Sequence, residues 1–247
     1  MLIRSLIIFA TLITSLSAAA LPETPEEYIT VFKSGWRIDK EKAAETLAWA
    51  GISSPLVFDI VEQELLSIYP TAKTRVAINY ASWLVKALSF SGNEKYRPTI
   101  NQVTAEGPHR KLRNYAKWAQ NNLALYTRLN KLISPNPWPE SPYPLLDQRL
   151  TNMLNSDDLE LFRIAAKRIH YTHNYKPELL KLLDDTIKAN YKKSFNANGA
   201  DAMAWLCKAL AGSRATEYKT TIETVEREAG SSRLRLSASH YLAYFSN

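Results

Sequence analysis

The chain repeats itself, and that repetition constrains its fold more than any motif does. Displaced by 122 residues, the two halves align without a gap, and 14 of the 34 positions from 83 to 116 are identical. Average residue usage would give about two. Trp83-Leu84-Val85-Lys86-Ala87-Leu88 falls on Trp205-Leu206-Cys207-Lys208-Ala209-Leu210. Further along, Tyr96 meets Tyr218, Thr99-Ile100 meets Thr221-Ile222, Glu106 meets Glu228 and Leu112-Arg113 meets Leu234-Arg235. Upstream, Tyr69 meets Tyr191, Pro55 meets Pro177 and Ala43-Ala44 meets Ala165-Ala166. One structural plan is therefore built twice, over residues 22–125 and 144–247.

The period within each copy is that of helices. Phe58, Val61, Leu65 and Ile68 recur at three and four, with Asp59, Glu62 and Gln63 opposite, which predicts a helix behind a first-turn proline at Pro55. Residues 75–89 predict a second, with Ala77, Tyr80, Ala81, Leu84, Ala87 and Leu88 on one stripe. Gly51, Gly92 and Gly212 each stand where a left-handed helix terminator is expected. About six helices per copy follow, and no stretch alternates as a strand does. Between the copies, residues 126–143 are expected to be a proline-rich connector, since Ser134 to Pro144 holds five of the twelve prolines.

A finer period of 41 residues takes Leu47 and Gly51 to Leu88 and Gly92. A proline-led helix, a turn and an alanine-rich second helix ending Ala87-Leu88-Ser89-Phe90-Ser91-Gly92 resemble the HEAT-like repeat family. The likeness is good from Pro55 to Gly92 and from Pro177 to Gly212, and weaker over 22–51 and 95–125. The family's usual turn aspartate is missing, with Tyr69-Pro70-Thr71-Ala72 in its place. The resemblance implies an all-α fold, an α-solenoid of about six helical hairpins in two duplicated halves. Stacked hairpins bury faces that one hairpin alone leaves open.

Residues 1–20 have the form of a cleavable signal peptide: Arg4, a run from Leu6 to Leu16 that is almost wholly apolar, then Ala18-Ala19-Ala20. Thr11, Thr14, Ser15 and Ser17 interrupt the run, which makes it a poor membrane anchor. The expectation is a periplasmic or secreted protein with no membrane insertion after cleavage. Its single cysteine, Cys207, excludes a disulfide framework within the chain and is expected to be a buried thiol. The charge excess of +7 is spread over both halves, without the concentrated basic stripe that nucleic acid requires, so no nucleic-acid partner is expected.

No hydrolase elbow, zinc-protease helix, phosphate loop or Ser-x-x-Lys motif is present. His170 and His173 are three apart but lack a third ligand nearby, and read as a polar helix terminus. Asp157-Asp158 and Asp184-Asp185 read as first-turn and solvent-face charges. Trp83 and Trp205 read as core. No cofactor and no metal site is expected. The candidate binding residues lie on the polar side of the second helix of each hairpin: Arg75, Asn79, Lys86 and Arg113, with Asp201, Lys208 and Arg235 in the second copy. In stacked repeats that side lines a concave face. The reading is a non-enzymatic scaffold gripping an acidic or extended protein or peptide there. The alternative is an enzyme, or enzyme subunit, acting on a cell-envelope polymer.

Overall fold

In a computed structural model, which describes residues 21–134 and 143–246, the chain forms helices joined by short turns, with no strand among the described residues. The signal-peptide expectation at residues 1–20 lies outside the described residues. The first half carries α1 (Pro25–Ser34), α2 (Arg37–Thr46), α3 (Pro55–Ile68), α4 (Arg75–Phe90), α5 (Arg97–Glu106) and α6 (Arg110–Ile133). The second carries α7 (Leu145–Leu154), α8 (Leu159–Thr172), α9 (Pro177–Asn190), α10 (Ala197–Gly212), α11 (Lys219–Glu228) and α12 (Ser232–Leu242). Helices α9, α10 and α11 start and stop exactly 122 residues after α3, α4 and α5. The local chemistry is duplicated with them. Pro55 and Pro177 open α3 and α9 in the first turn. The Thr74 hydroxyl accepts from the Ala77 amide, and its counterpart Asn196 accepts from Gly199.

Apolar stripes decide how these helices pack. The even-numbered helices lie against one another, α2 on α4, α4 on α6, α8 on α10 and α10 on α12. Among the odd-numbered helices α1 touches α3, α7 touches α9 and α9 touches α11. The stripe of Val57, Phe58, Val61 and Leu65 on α3, with Ala81, Leu84, Ala87 and Leu88 on α4, is wholly buried between the layers. Burying one such leucine or phenylalanine contributes about 1.5–3 kcal/mol. Leu47 and Leu88, the pair 41 residues apart, are both fully buried. Cys207 is buried too, as its neighbours suggested.

Hydrogen bonds tie the odd helices together, and the copies repeat them. Tyr69 Oη donates to Glu106 at 3.4 Å, and Tyr191 to Glu228 at 3.3 Å. The Thr99 hydroxyl donates to Glu62, and Thr221 to Asp184 at 2.6 Å. Asp184 is thus a buried acceptor on α9, also held by Lys188, and not the solvent-face charge expected from its neighbour Asp185.

The halves meet where the end of α6 packs on α7, and two long side chains of the second half reach the first helices. Arg149 on α7 donates to the Glu23 carbonyl at 2.8 Å, and the Arg168 guanidinium on α8 lies 4.0 Å from the Trp49 ring centroid, just beyond α2. Helix α6 makes this possible. Its 24 residues span about 36 Å at 1.5 Å per residue, running back past Gly92, just after α4, to Gly51, in the turn before α3. Residues 126–133, expected to belong to the connector, are the last two turns of this helix, burying Tyr126, Leu129 and Ile133. Asn130 is their polar anchor: its amide faces the Phe90 carbonyl at 2.8 Å and the Ser53 hydroxyl at 3.0 Å. The remainder of the connector, residues 135–142, lies outside the described residues.

The return of α6 explains the glycines. Gly51 and Gly92 are left-handed, at φ 63° and 62°, as expected. A Cβ on Gly92 would stand 2.4 Å from the Thr127 nitrogen of α6. At the equivalent positions of the second half, His173 and Arg214 hold the same conformation at φ 53° and 59°. Gly212 is not the terminator expected of it; it is the last residue of α10, and Arg214 turns the chain instead. Glycine at 212 answers a different need, since a Cβ there would stand 2.8 Å from His170 Nδ1 and Tyr175 Oη.

Candidate functional site

The exposed edge of α4 places Asn79, Trp83 and Lys86 at spacings of four and three, one helical face. Helix α6 runs beside it and presents Lys111, Tyr115 and Trp118 with the same periodicity. Together Asn79, Ser82, Trp83, Lys86, Lys111 and Tyr115 line a cleft of about 150 Å³. Lys111 Nζ donates to Asn79 Oδ1 at 2.7 Å and closes one end.

Lys86 is held among rings. Its Nζ lies 4.4 Å from the Trp83 centroid, 4.9 Å from Trp118 and 5.7 Å from Tyr115. Each face-on contact of this kind contributes about 0.5–1 kcal/mol where solvent still reaches it. Burial holds the Lys86 ammonium below the ordinary lysine range, and the Glu45 carboxylate on α2 opposes that shift. Trp118 is 38 % exposed and Tyr115 is 36 % exposed, so the rings are open to a visitor.

The second copy keeps half of this arrangement. Lys208 Nζ stands 4.7 Å from the Trp205 centroid, and Lys167 on α8 approaches the same ring at 4.8 Å. Lys167 occupies the position of Glu45 in the first copy. Ser237 and His240 replace Tyr115 and Trp118, while His170 and Tyr171 bring their rings to 6.1 Å and 5.7 Å from Trp205. None of Lys86, Lys167 and Lys208 belongs to an ion pair among the described residues.

Of the residues expected to bind, the structure brings Asn79 and Lys86 into one cleft and sets Lys208 on the matching ring in the other half. Arg75 is an exposed residue at the first turn of α4, outside the cleft. Asp201 stands 4.0 Å from the Arg163 guanidinium. Arg113 donates to the Gly107 carbonyl at 2.7 Å, and Arg235 makes the equivalent bond to Ala229. That clamp on the preceding loop explains why both copies keep arginine, with no ligand required.

Trp83 and Trp205 are half-buried against the core, so they belong to this face as much as to the interior. Sequence reasoning also missed Tyr115, Trp118, Lys111 and Lys167. A signal existed: Trp and Lys three apart, kept in both copies, share a helix face. The ring partners come from other helices and leave no local pattern.

His170 does not form a metal cluster with His173; among the described residues no three ligating side chains converge. His170 Nδ1 faces Tyr175 Oη at 3.5 Å. Burial, then the charges of Lys208 and His173, hold its pKa below the ordinary histidine value. A larger cavity of about 600 Å³ opens between the end of α6, α7 and α9. On its wall Asp147 accepts from Asn174 and Lys176, and Asn152 donates to the Ile133 carbonyl. Compared with known protein families, curated proteins and solved structures, the chain matches none.

Proposed function

We propose that this chain is an exported, non-enzymatic helical-repeat scaffold, built of HEAT-like hairpins in a solenoid, that binds an acidic protein or peptide on the face formed by its even-numbered helices. The observation that carries this reading is the duplicated Trp–Lys element: Trp83 with Lys86, and Trp205 with Lys208, at 4.4 and 4.7 Å. A lysine stacked on a ring and, among the described residues, outside any ion pair keeps its charge available at low conformational cost. A carboxylate arriving there replaces water with a charge-assisted hydrogen bond, while its aliphatic stem rests on the rings. Support for export is the pattern of residues 1–20. Among the described residues no helix is long and apolar enough to cross a membrane.

The test is charge reversal at both lysines. Lys86→Glu with Lys208→Glu is expected to leave the melting temperature within about 2 °C and to abolish binding of a glutamate-rich peptide measured by calorimetry. Retained affinity at the same ionic strength would refute the reading. For export, mass spectrometry of the expressed protein is expected to find a mature chain beginning at Leu21; residues 1–20 still attached would refute that part.

A further inference from the structure

The cleft between α4 and α6 has a neighbour. At the start of α6, His109, Arg110, Asn114 and Trp118 line an open cleft of about 520 Å³. It shares Lys111 and Tyr115 with the smaller cleft of about 150 Å³ that holds Trp83 and Lys86. The rings make the two continuous, since Trp118 of the open cleft lies 4.9 Å from Lys86 Nζ in the smaller one. Lys86 and Lys111 both approach the Tyr115 ring, at 5.7 and 5.8 Å from its centroid. Among the described residues no acidic side chain lines either cleft, and Lys86, Arg110 and Lys111 belong to no ion pair. His109 Nδ1 accepts from the Lys111 amide at 3.1 Å, which leaves Nε2–H as a further donor. The second half does not repeat this set. Ser231, Ser232, Ser237 and His240 stand at the positions of His109, Arg110, Tyr115 and Trp118, and Asp201 puts a carboxylate at the position of the Asn79 amide. Arg233 keeps the charge of Lys111 without the tyrosine beside it.

We infer that the joined clefts of the first half form one site for an extended peptide segment whose two carboxylates stand two residues apart, of the form Glu-x-Glu. The inference rests on the reading above and deepens it, naming the motif and placing its capture in one half. At about 150 Å³ the inner cleft is smaller than the roughly 300–1,000 Å³ of small-molecule pockets and admits a single side chain. One carboxylate enters it and meets Lys86, with its stem against Trp83 and Tyr115. The next-but-one side chain of an extended segment points the same way, about 6.6 Å further on. It reaches the open cleft, where Lys111 and Arg110 receive it. The two ammonium groups can be no further apart than their two distances to the Tyr115 centroid combined. Carboxylates four or more residues apart, about 13 Å in an extended chain, therefore overreach them. In the second half Asp201 repels a carboxylate, and Ser237 supplies no ring for its stem.

The experiment titrates the full mature chain with synthetic peptides of equal length and net charge, read by calorimetry and tryptophan fluorescence. One carries Glu-Ser-Glu in a neutral Gly-Ser background, a second adjacent glutamates, and a third two glutamates six residues apart. The first is expected to bind one per chain and about tenfold more tightly than the other two, because only there do both carboxylates engage at once. Lys111→Gln or Trp118→Ala should each weaken it about tenfold, with unchanged circular dichroism and melting temperature as the folding control. Arg233→Gln, the matching change in the second half, should alter affinity by less than about twofold. Equal affinity for the three peptides, two peptides bound per chain, or a loss from Arg233→Gln as large as from Lys111→Gln overturns the inference while leaving acidic-peptide binding in place. Failure of every acidic peptide to bind the unaltered chain overturns the underlying reading as well. Tighter binding of polygalacturonate than of any peptide, lost in Lys111→Gln, would assign the clefts to an acidic glycan and also overturns the inference.

Discussion

Replacing Gly92 by alanine tests the path of α6 more sharply than any other single change. Two costs add. The residue is left-handed at φ 62°, where an L side chain costs about 1–2 kcal/mol. The new Cβ would also stand 2.4 Å from the Thr127 nitrogen and 2.6 Å from its Cα, both backbone atoms of α6. A helix cannot swing aside as a side chain can, so overpacking adds about 1–3 kcal/mol. The expected loss is about 2–5 kcal/mol. At a urea m-value of about 2 kcal/mol/M, the midpoint falls by about 1–2.5 M. Arg214 is the internal control. It already carries a side chain in the same conformation, at φ 59°, and is exposed. Arg214→Ala should therefore change stability by less than about 0.5 kcal/mol, the usual range for such surface changes. Urea unfolding followed by circular dichroism reads both variants. If Gly92→Ala cost no more than Arg214→Ala, α6 would not be seated on that turn, and the account of the glycines would be wrong.

Asn130→Ala removes the buried amide that faces the Phe90 carbonyl and Ser53; a loss of about 1–3 kcal/mol is expected in the same assay, and a change under 0.5 kcal/mol would deny it an anchoring role. Burial pushes the Cys207 thiol up to about 12, so the native protein at pH 8 should resist a thiol reagent and react fully in urea; rapid native labelling would mean an open site. His170 should titrate below its ordinary value, and Lys208→Met should raise its pKa, as followed by NMR of the ring protons. A lowered folded-state pKa contributes stability that is present above the unfolded value of about 6.5 and lost as pH falls through the folded value. The protein should accordingly weaken on acidification below that point, and a His170→Gln variant should weaken less.

What the sequence determined by itself was everything that repeats locally. Helical period, first-turn prolines and the register of 122 residues predicted helices that begin and end together in both copies, because a stripe and a cap are properties of one segment. The last turns of α6 fall within the connector expected from sequence, because the prolines that follow dominate that stretch, although Tyr126, Leu129, Asn130 and Ile133 keep helical spacing. Gly212 is ambiguous in sequence because a glycine at a helix end can answer either a left-handed turn or a crowded neighbour, and only His170 and Tyr175 tell which. The tertiary structure alone decided where the halves meet, since Arg168 and Trp49 are distant in the chain and belong to no motif. It also separated arginines that clamp loops from lysines that sit on rings. Each of those side chains has a polar surface position in sequence, and its role depends on which helix lies opposite.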